Sequence, residues 1–389
     1  MFRSWEIDFD ARAVRLEFLD GRVVQESLTR AVPESFSVRR SRMDLERRVM
    51  LLTLDDGQTL EVDIGVAGQG VPADVPIVYL DQLHWISLAR QQWAPDRLRD
   101  SQRAAATTLI ALADQQEILL PVAGAHLTEM ASIAGRRRRD LAATILGLCR
   151  GWQMQNPVRI RGQEYLASML GQEPVAAGVF TLEPGVLFAE GPATPAPMPG
   201  APPGLAEMFS RVIAISAVYS AMLDDEPVDM GEGKAAAERW ATSFPKLASY
   251  MREQRMSEEH ARINGRARLI ADQSQDLERA GDRAGVTPEQ FARWLSDRFP
   301  EDLARMPYVG RLNEVLYLRL RNADDKWEAN DLNDMNFLCA AAGYADITIG
   351  EKKTINYLRR AEAHVRPGSQ LCGRLSEAVE MLAASGAIP

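Results

Sequence analysis

Six carboxylates in this chain stand where a divalent metal could be held. Asp81 directly follows the apolar run Val75-Pro76-Ile77-Val78-Tyr79-Leu80, and Glu129 lies in Ala125-His126-Leu127-Thr128-Glu129-Met130. Asp331 and Asp334 stand in Asn330-Asp331-Leu332-Asn333-Asp334-Met335, while Asp346 and Glu351 flank Ile347-Thr348-Ile349-Gly350. Short apolar runs read as buried strands, so these acids belong at strand ends and helix starts. Carboxylates gathered there raise one another's pKa unless a cation neutralises them, which readies the set for divalent metal. Hard oxygen ligands favour Mg²⁺ or Mn²⁺ over Zn²⁺. A metal so held lowers the pKa of a bound water, orients it for in-line attack and stabilises charge on the departing oxygen; phosphodiester hydrolysis suits that chemistry. Asp331 precedes Asp334 by three residues and shares its helix face, which makes it a supporting ligand candidate.

Each acid also has a plain structural reading. Asp81 can cap a helix beginning near Leu83, Asp331 and Asp334 can be helix-start acids that favour the positive end of the dipole, and Glu129 can be a surface acid. Arg136-Arg137-Arg138-Arg139 follows Glu129 by about two helical turns and reads either as a phosphate contact for an incoming strand or as a solvated charge run. His84 and His126 lie near Asp81 and Glu129 in sequence, but a packed or solvent-facing role is the simpler one, and neither is assigned as a base. Gly231-Glu232-Gly233-Lys234 superficially resembles a phosphate loop; Ala235 replaces the required Ser or Thr and the upstream Gly is absent, so nucleoside triphosphate binding is rejected there. Trp240, Phe244, Tyr250 and Trp294 suit core packing better than base stacking.

The elements that must position the acids follow from hydrophobic period and turn chemistry. Residues 1–70 read as a β-hairpin module with an internal echo: alternating runs surround Asp20-Gly21 and again Asp56-Gly57, a strong hairpin signal. The module is expected to be an appendage packed on the body, an oligomer contact or a binding surface. Residues 71–150 alternate strand and helix, with strands at Val75–Leu80 and Ile118–Val122, which implies a parallel sheet with ligand sites at the carboxyl ends of its strands. Residues 151–325 hold a Pro- and Gly-rich loop at 191–204 and then helical spacing over about 205–322, an insertion expected to cap the site or to form a dimer surface. Residues 326–389 return to α/β, with a helix from about Asp331 and a strand at Ile347–Ile349.

The order of these features resembles the PIN-domain and PIN-like nucleases, most closely over residues 330–352. The resemblance covers roughly residues 74–150 and 325–370, less than half the chain. It implies an α/β fold with a PIN-like parallel sheet flanked by helices, interrupted by the helical insertion and preceded by the β module. It also implies a Mg²⁺- or Mn²⁺-dependent endonuclease acting on nucleic acid, single-stranded RNA more than DNA. Asp81 matches the acid ending the family's first strand, Glu129 its mid-domain acid and Asp334 the acid opening its late helix. The fourth acid is contested: the family carries Asp just after its last-strand Thr, whereas here Asp346 precedes Ile347-Thr348-Ile349 and Glu351 follows. The resemblance thus gives Asp81, Glu129, Asp334 and Asp346 as principal acids, with Asp331 and Glu351 in support. The rival reading is a catalytically inactive PIN-like scaffold.

Composition sets the outer limits. A chain of 389 residues with 46% hydrophobic residues is large enough for two or three cores. A net charge of −9 speaks mildly against a protein that coats nucleic acid, although clustered site acids contribute to that total. Cys149, Cys339 and Cys372 are widely spaced in apolar surroundings and read as reduced core thiols. No apolar stretch reaches the roughly 18 residues of a spanning helix, and no signal-peptide pattern opens the chain, so a cytoplasmic protein without a membrane partner is expected.

Overall fold

The computed structural model describes residues 2–27, 37–65, 70–183, 185–189, 205–223, 231–322 and 324–386; the Pro-rich stretch 191–204 lies outside them. Six strands open the chain: β1 (Phe2–Asp8), β2 (Ala13–Phe18), β3 (Val23–Ser27), β4 (Val38–Asp44), β5 (Val49–Leu54) and β6 (Thr59–Asp63). Then come β7 (Val78–Leu80), α1 (Gln82–Trp93), α2 (Asp100–Asp114), α3 (Gly124–Met130), α4 (Gly135–Cys149), β8 (Gln153–Met154), α5 (Pro157–Met169) and β9 (Phe180–Thr181). Seven helices follow: α6 (Leu205–Leu223), α7 (Gly231–Glu253), α8 (Glu258–Asp272), α9 (Ser274–Ala284), α10 (Pro288–Arg293), α11 (Phe299–Asp302) and α12 (Val309–Arg321). The chain closes with α13 (Asp331–Tyr344), β10 (Ile347–Ile349), α14 (Lys352–Ala361), β11 (Gln370–Cys372) and α15 (Leu375–Ala384). The chain divides into two compact units: Met1–Pro72, Trp85–Met154 and Phe180–Val228 in the first; Ala73–His84, Gln155–Val179 and Asp229–Pro389 in the second.

In the first unit the six N-terminal strands form one antiparallel sheet, ordered β3-β2-β1-β4-β5-β6. It is two three-stranded meanders joined through their first strands, and their turns repeat at a constant offset of 36 positions. The Asp8 carboxylate accepts the Ala11 N–H at 2.8 Å, and Asp44 accepts the Arg47 N–H at 3.0 Å. Asp20 accepts from Arg22 and Asp56 from Gln58, in turns where Gly21 and Gly57 hold φ of 82° and 85°. Both Asp-Gly hairpins of the sequence reading are therefore present, inside a larger repeat. Cross-strand pairing puts Trp5, Ile7, Met43, Met50, Leu52, Leu60 and Val62 on one face, and all are buried. α4 packs on β6 and α6 on β4. At Gly151, with φ of 94°, a Cβ would lie 2.8 Å from Val62, so the chain approaches the sheet where only glycine fits. The module thus shares a compact unit with α4 and α6, and α6 falls in a different unit from the helices that follow it.

The strand expected at 118–122 is reduced to isolated bridge positions at Leu119 and Val122, the latter pairing in parallel with Gln153. Pro121 has no N–H to donate, which prevents a regular ladder from extending through it.

The second unit holds a three-stranded parallel sheet, ordered β11-β10-β7, with Ile347 opposite Val78 and Ile349 opposite Leu80. α12 is buried along nearly its whole length and packs against α7, α8, α13 and α14, so it belongs to the core of this unit rather than to a separable cap. Its N-terminus is closed by Glu164 of α5, whose carboxylate accepts the Tyr308 N–H at 2.7 Å, the Val309 N–H at 2.8 Å and the Tyr344 hydroxyl at 2.7 Å. Burial pushes the Glu164 carboxyl up to about 7 against the pull of those donors. Trp240, Phe244 and Trp327 form an aromatic cluster, with Phe244 stacked on Trp327 at 4.3 Å, whereas Tyr250 is exposed. The three cysteines are free and buried, and among the described residues no helix is long and apolar enough to cross a membrane.

Candidate metal centre

Parallel pairing brings the carboxyl ends of β7 and β10 to one edge. There the Asp81 N–H donates to the Ile349 carbonyl at 2.9 Å, which places Asp81 beside Gly350-Glu351. The half-buried Asp81 carboxylate accepts the Gln82 N–H at 2.8 Å and also the Glu351 N–H. Burial nonetheless raises its pKa above the usual carboxylate range, with the Glu351 charge adding to the effect. Asp334, in the first turn of α13, has a carboxylate oxygen within 4.8 Å of one on Asp81. Its carboxyl is pushed up to about 7, first by burial, then by the charges of Asp81, Glu351 and Asp331, with Arg319 opposing. A helix start ordinarily favours an anion, so burial and like charge override the dipole here.

The start of α13 is fixed by a network that the sequence reading missed. Arg319, with a side chain only 3% exposed, donates to Asp325 at 2.7 Å and to Asp331 at 2.9 Å, and its guanidinium lies 4.1 Å from the Trp327 ring centroid. Lys353 reaches Asp325 at 2.9 Å and Asp331 at 3.8 Å. Asp331 also accepts the Glu328 N–H at 2.6 Å. Asp331 is thus engaged as the tether that holds Asp334 in place. Its signal in the sequence is an arginine in an apolar helical stripe, Leu312, Val315, Leu316 and Leu320, which demands a buried partner.

Asp346 lies elsewhere. It is exposed at the amino end of β10, where its carboxylate accepts the Ile77 N–H at 2.7 Å. A three-residue strand, roughly 10 Å at about 3.3 Å per residue, separates it from the Asp81 edge. Glu351, following the strand, is the acid on that edge. The assignment of Asp346 as a principal acid is corrected accordingly: a parallel register fixes which end of each strand shares an edge.

Glu129 is half-buried near the end of α3, in the first unit. Two arginines of the basic run are used structurally there. Arg138 is buried and donates to the Ala221 and Met222 carbonyls of α6, while Arg139 pairs with Asp55 and Asp56. Arg136 faces Asp140 at 3.7 Å, and Arg137 is exposed. Arg138 and Arg139 are therefore corrected from candidate phosphate contacts to structural residues, while Arg136 and Arg137 stay exposed. The His126 Nδ1 accepts the Ala123 N–H at 3.0 Å, a helix-start cap. Burial depresses His84 to about 4, so it is neutral at physiological pH. Beside Asp81, the Gln82 side-chain oxygen and nitrogen and the His84 Nε2 are buried without a hydrogen-bond partner among the described residues.

The donor set is hard and anionic, and the raised pKa values of Asp81 and Asp334 express burial first and neighbouring carboxylate charge second, both of which a bound divalent cation would offset. No family model, no curated protein and no solved structure matches the chain.

Proposed function

We propose that this chain is a cytoplasmic, metal-dependent nuclease with a PIN-like core, hydrolysing RNA in preference to DNA. The observation that carries the reading is the convergence of Asp81 and Asp334 at the carboxyl edge of a parallel sheet, with Glu351 adjoining Asp81 and Asp334 held up to about 7. Asp81 and Asp334 would hold Mg²⁺ or Mn²⁺, which when bound supplies an activated water and charge stabilisation at the departing oxygen. Asp334, raised to about 7, would release its proton to hold the cation near neutral pH, and the Arg319–Asp331 pair keeps the α13 start in register. Exposed Arg136 and Arg137 are the members of the basic run assigned to phosphate contact. Sequence order also places Glu129 in the acid set, an assignment tested by its own variant, Glu129→Gln. The preference for RNA comes from the resemblance alone.

The decisive experiment is cleavage of labelled single-stranded RNA by Asp81→Asn protein in Mg²⁺ and in Mn²⁺. Activity should fall by about 100-fold or more, because the lost ligand weakens the hold on the metal that would stabilise transition-state charge. Unchanged cleavage by folded Asp81→Asn would remove the proposal. A second reading, an inactive PIN-like scaffold, is favoured by the engagement of Asp331 with Arg319 and Lys353. Calorimetric titration with Mn²⁺ separates the two, because a scaffold gives no binding that depends on Asp81 and Asp334.

A further inference from the structure

Two adjoining cavities of about 250 Å³ and 660 Å³ open in the second unit between α8, α12 and the end of α14, and both are lined by Arg262 and His364. The smaller adds Arg266 and Asn313; the larger adds Arg321 and Arg360. Two glutamates also line the pair, Glu258 and Glu314, and both are taken by Arg262. Arg266 makes no hydrogen bond or ion pair among the described residues, and its Nε is buried without a partner. Burial and the neighbouring Arg262 push its guanidinium below the ordinary arginine range against the pull of Glu314. Asn313, 5% exposed, has its Oδ1 buried and unbonded while its Nδ2 faces Glu314 at 3.3 Å. Arg321 donates to the Tyr317 hydroxyl at 3.2 Å, and Arg360 lies over the Tyr357 ring; neither has a carboxylate within ion-pair distance among the described residues.

Like charges do not gather in a half-buried groove without cost. At half-buried Arg266, desolvation and the charge of Arg262 both oppose the arrangement, with Arg321 and Arg360 exposed nearby, and an anion bound among the guanidiniums offsets both. Arginine forks match phosphate oxygens bidentately, and the larger cavity falls in the range of small-molecule sites, which suits a phosphate carrying a nucleoside better than a bare ion. We propose that these cavities form a phosphate-binding site, separate from the acid edge, that anchors a phosphate of a nucleic acid strand. The choice of nucleic acid as the carrier rests on the nuclease reading. The site itself rests on the unpaired arginines.

The test measures binding of fluorescent single-stranded RNA to the full chain by anisotropy, with EDTA present to prevent cleavage. The RNA carries either a 5′-phosphate or a 5′-hydroxyl, and inorganic phosphate serves as a competitor. Arg266→Gln and the more exposed Arg360→Gln should each weaken binding about tenfold and lower the slope of log affinity against log salt by about 1. A site for a terminal phosphate binds the 5′-phosphorylated strand more tightly, whereas a site for an internal phosphodiester binds both strands equally; either pattern, if it depends on Arg266 and Arg360, supports the proposal. Affinity for RNA and for phosphate left unchanged in both folded variants would overturn it. Wild-type cleavage in Mg²⁺ is scored separately. Arginine-dependent binding without cleavage refutes the nuclease reading alone, and cleavage with arginine-independent binding refutes this site alone.

Discussion

Asp334→Asn is expected to stabilise the metal-free protein at pH 8, the reverse of what most substitutions do. The Asp334 carboxyl is raised from 3.8 to about 7, so the folded chain holds this proton to higher pH than the unfolded chain does. The corresponding stability is whole below about pH 4 and is lost as pH rises through about 7. A shift of about three units at about 1.36 kcal/mol per unit sets a ceiling near 4 kcal/mol. Asp334 is half-buried and shares its repulsion with Asp81 and Glu351, so screening and relaxation reduce the expected gain to about 2 kcal/mol. Asparagine keeps the shape and removes the charge. Urea unfolding followed by circular dichroism, in EDTA at pH 5 and pH 8, should show a gap between variant and wild type that widens with pH. Mn²⁺ added at pH 8 should then stabilise the wild type by mass action and leave the variant unchanged. A variant no more stable than wild type at pH 8, or a gap independent of pH, would refute the account of a repulsive acid cluster.

Glu164→Gln should act in the opposite sense although Glu164 is also raised to about 7, because three donors point at its carboxylate. An amide nitrogen turned toward any of them leaves a buried donor unsatisfied, so a loss of about 1–3 kcal/mol is expected in the same urea assay. Asp346→Asn should leave RNA cleavage at the wild-type level and cost under about 1 kcal/mol, since the amide oxygen can still accept from Ile77. A loss of cleavage in that variant would return Asp346 to the acid set.

Turn and strand-end chemistry was legible in the sequence wherever a few adjacent residues decide it. Asp20-Gly21 and Asp56-Gly57 announce their hairpins because glycine supplies the positive φ locally, and the apolar run before Asp81 marks a strand end by itself. β1 and β4, with their Arg-, Glu- and Ser-rich alternation, are strands through pairing with each other and with their flanking hairpins, which no local window displays. The choice between Asp346 and Glu351 could not be read from their spacing, since each stands beside the same strand; the parallel register with β7 decided it. Arg138, Arg139 and Asp331 look like free charges in sequence and are ion-paired or hydrogen-bonded in the fold, each to a partner brought near by the folded chain. The sequence by itself determined the turns, the helical periods and the types of side chain that could hold a metal, because those depend on backbone preference within one or two turns of chain. Tertiary structure alone decided which acids share an edge and which charges are already neutralised, because those depend on the register of parallel strands and on desolvation by residues far away in the chain.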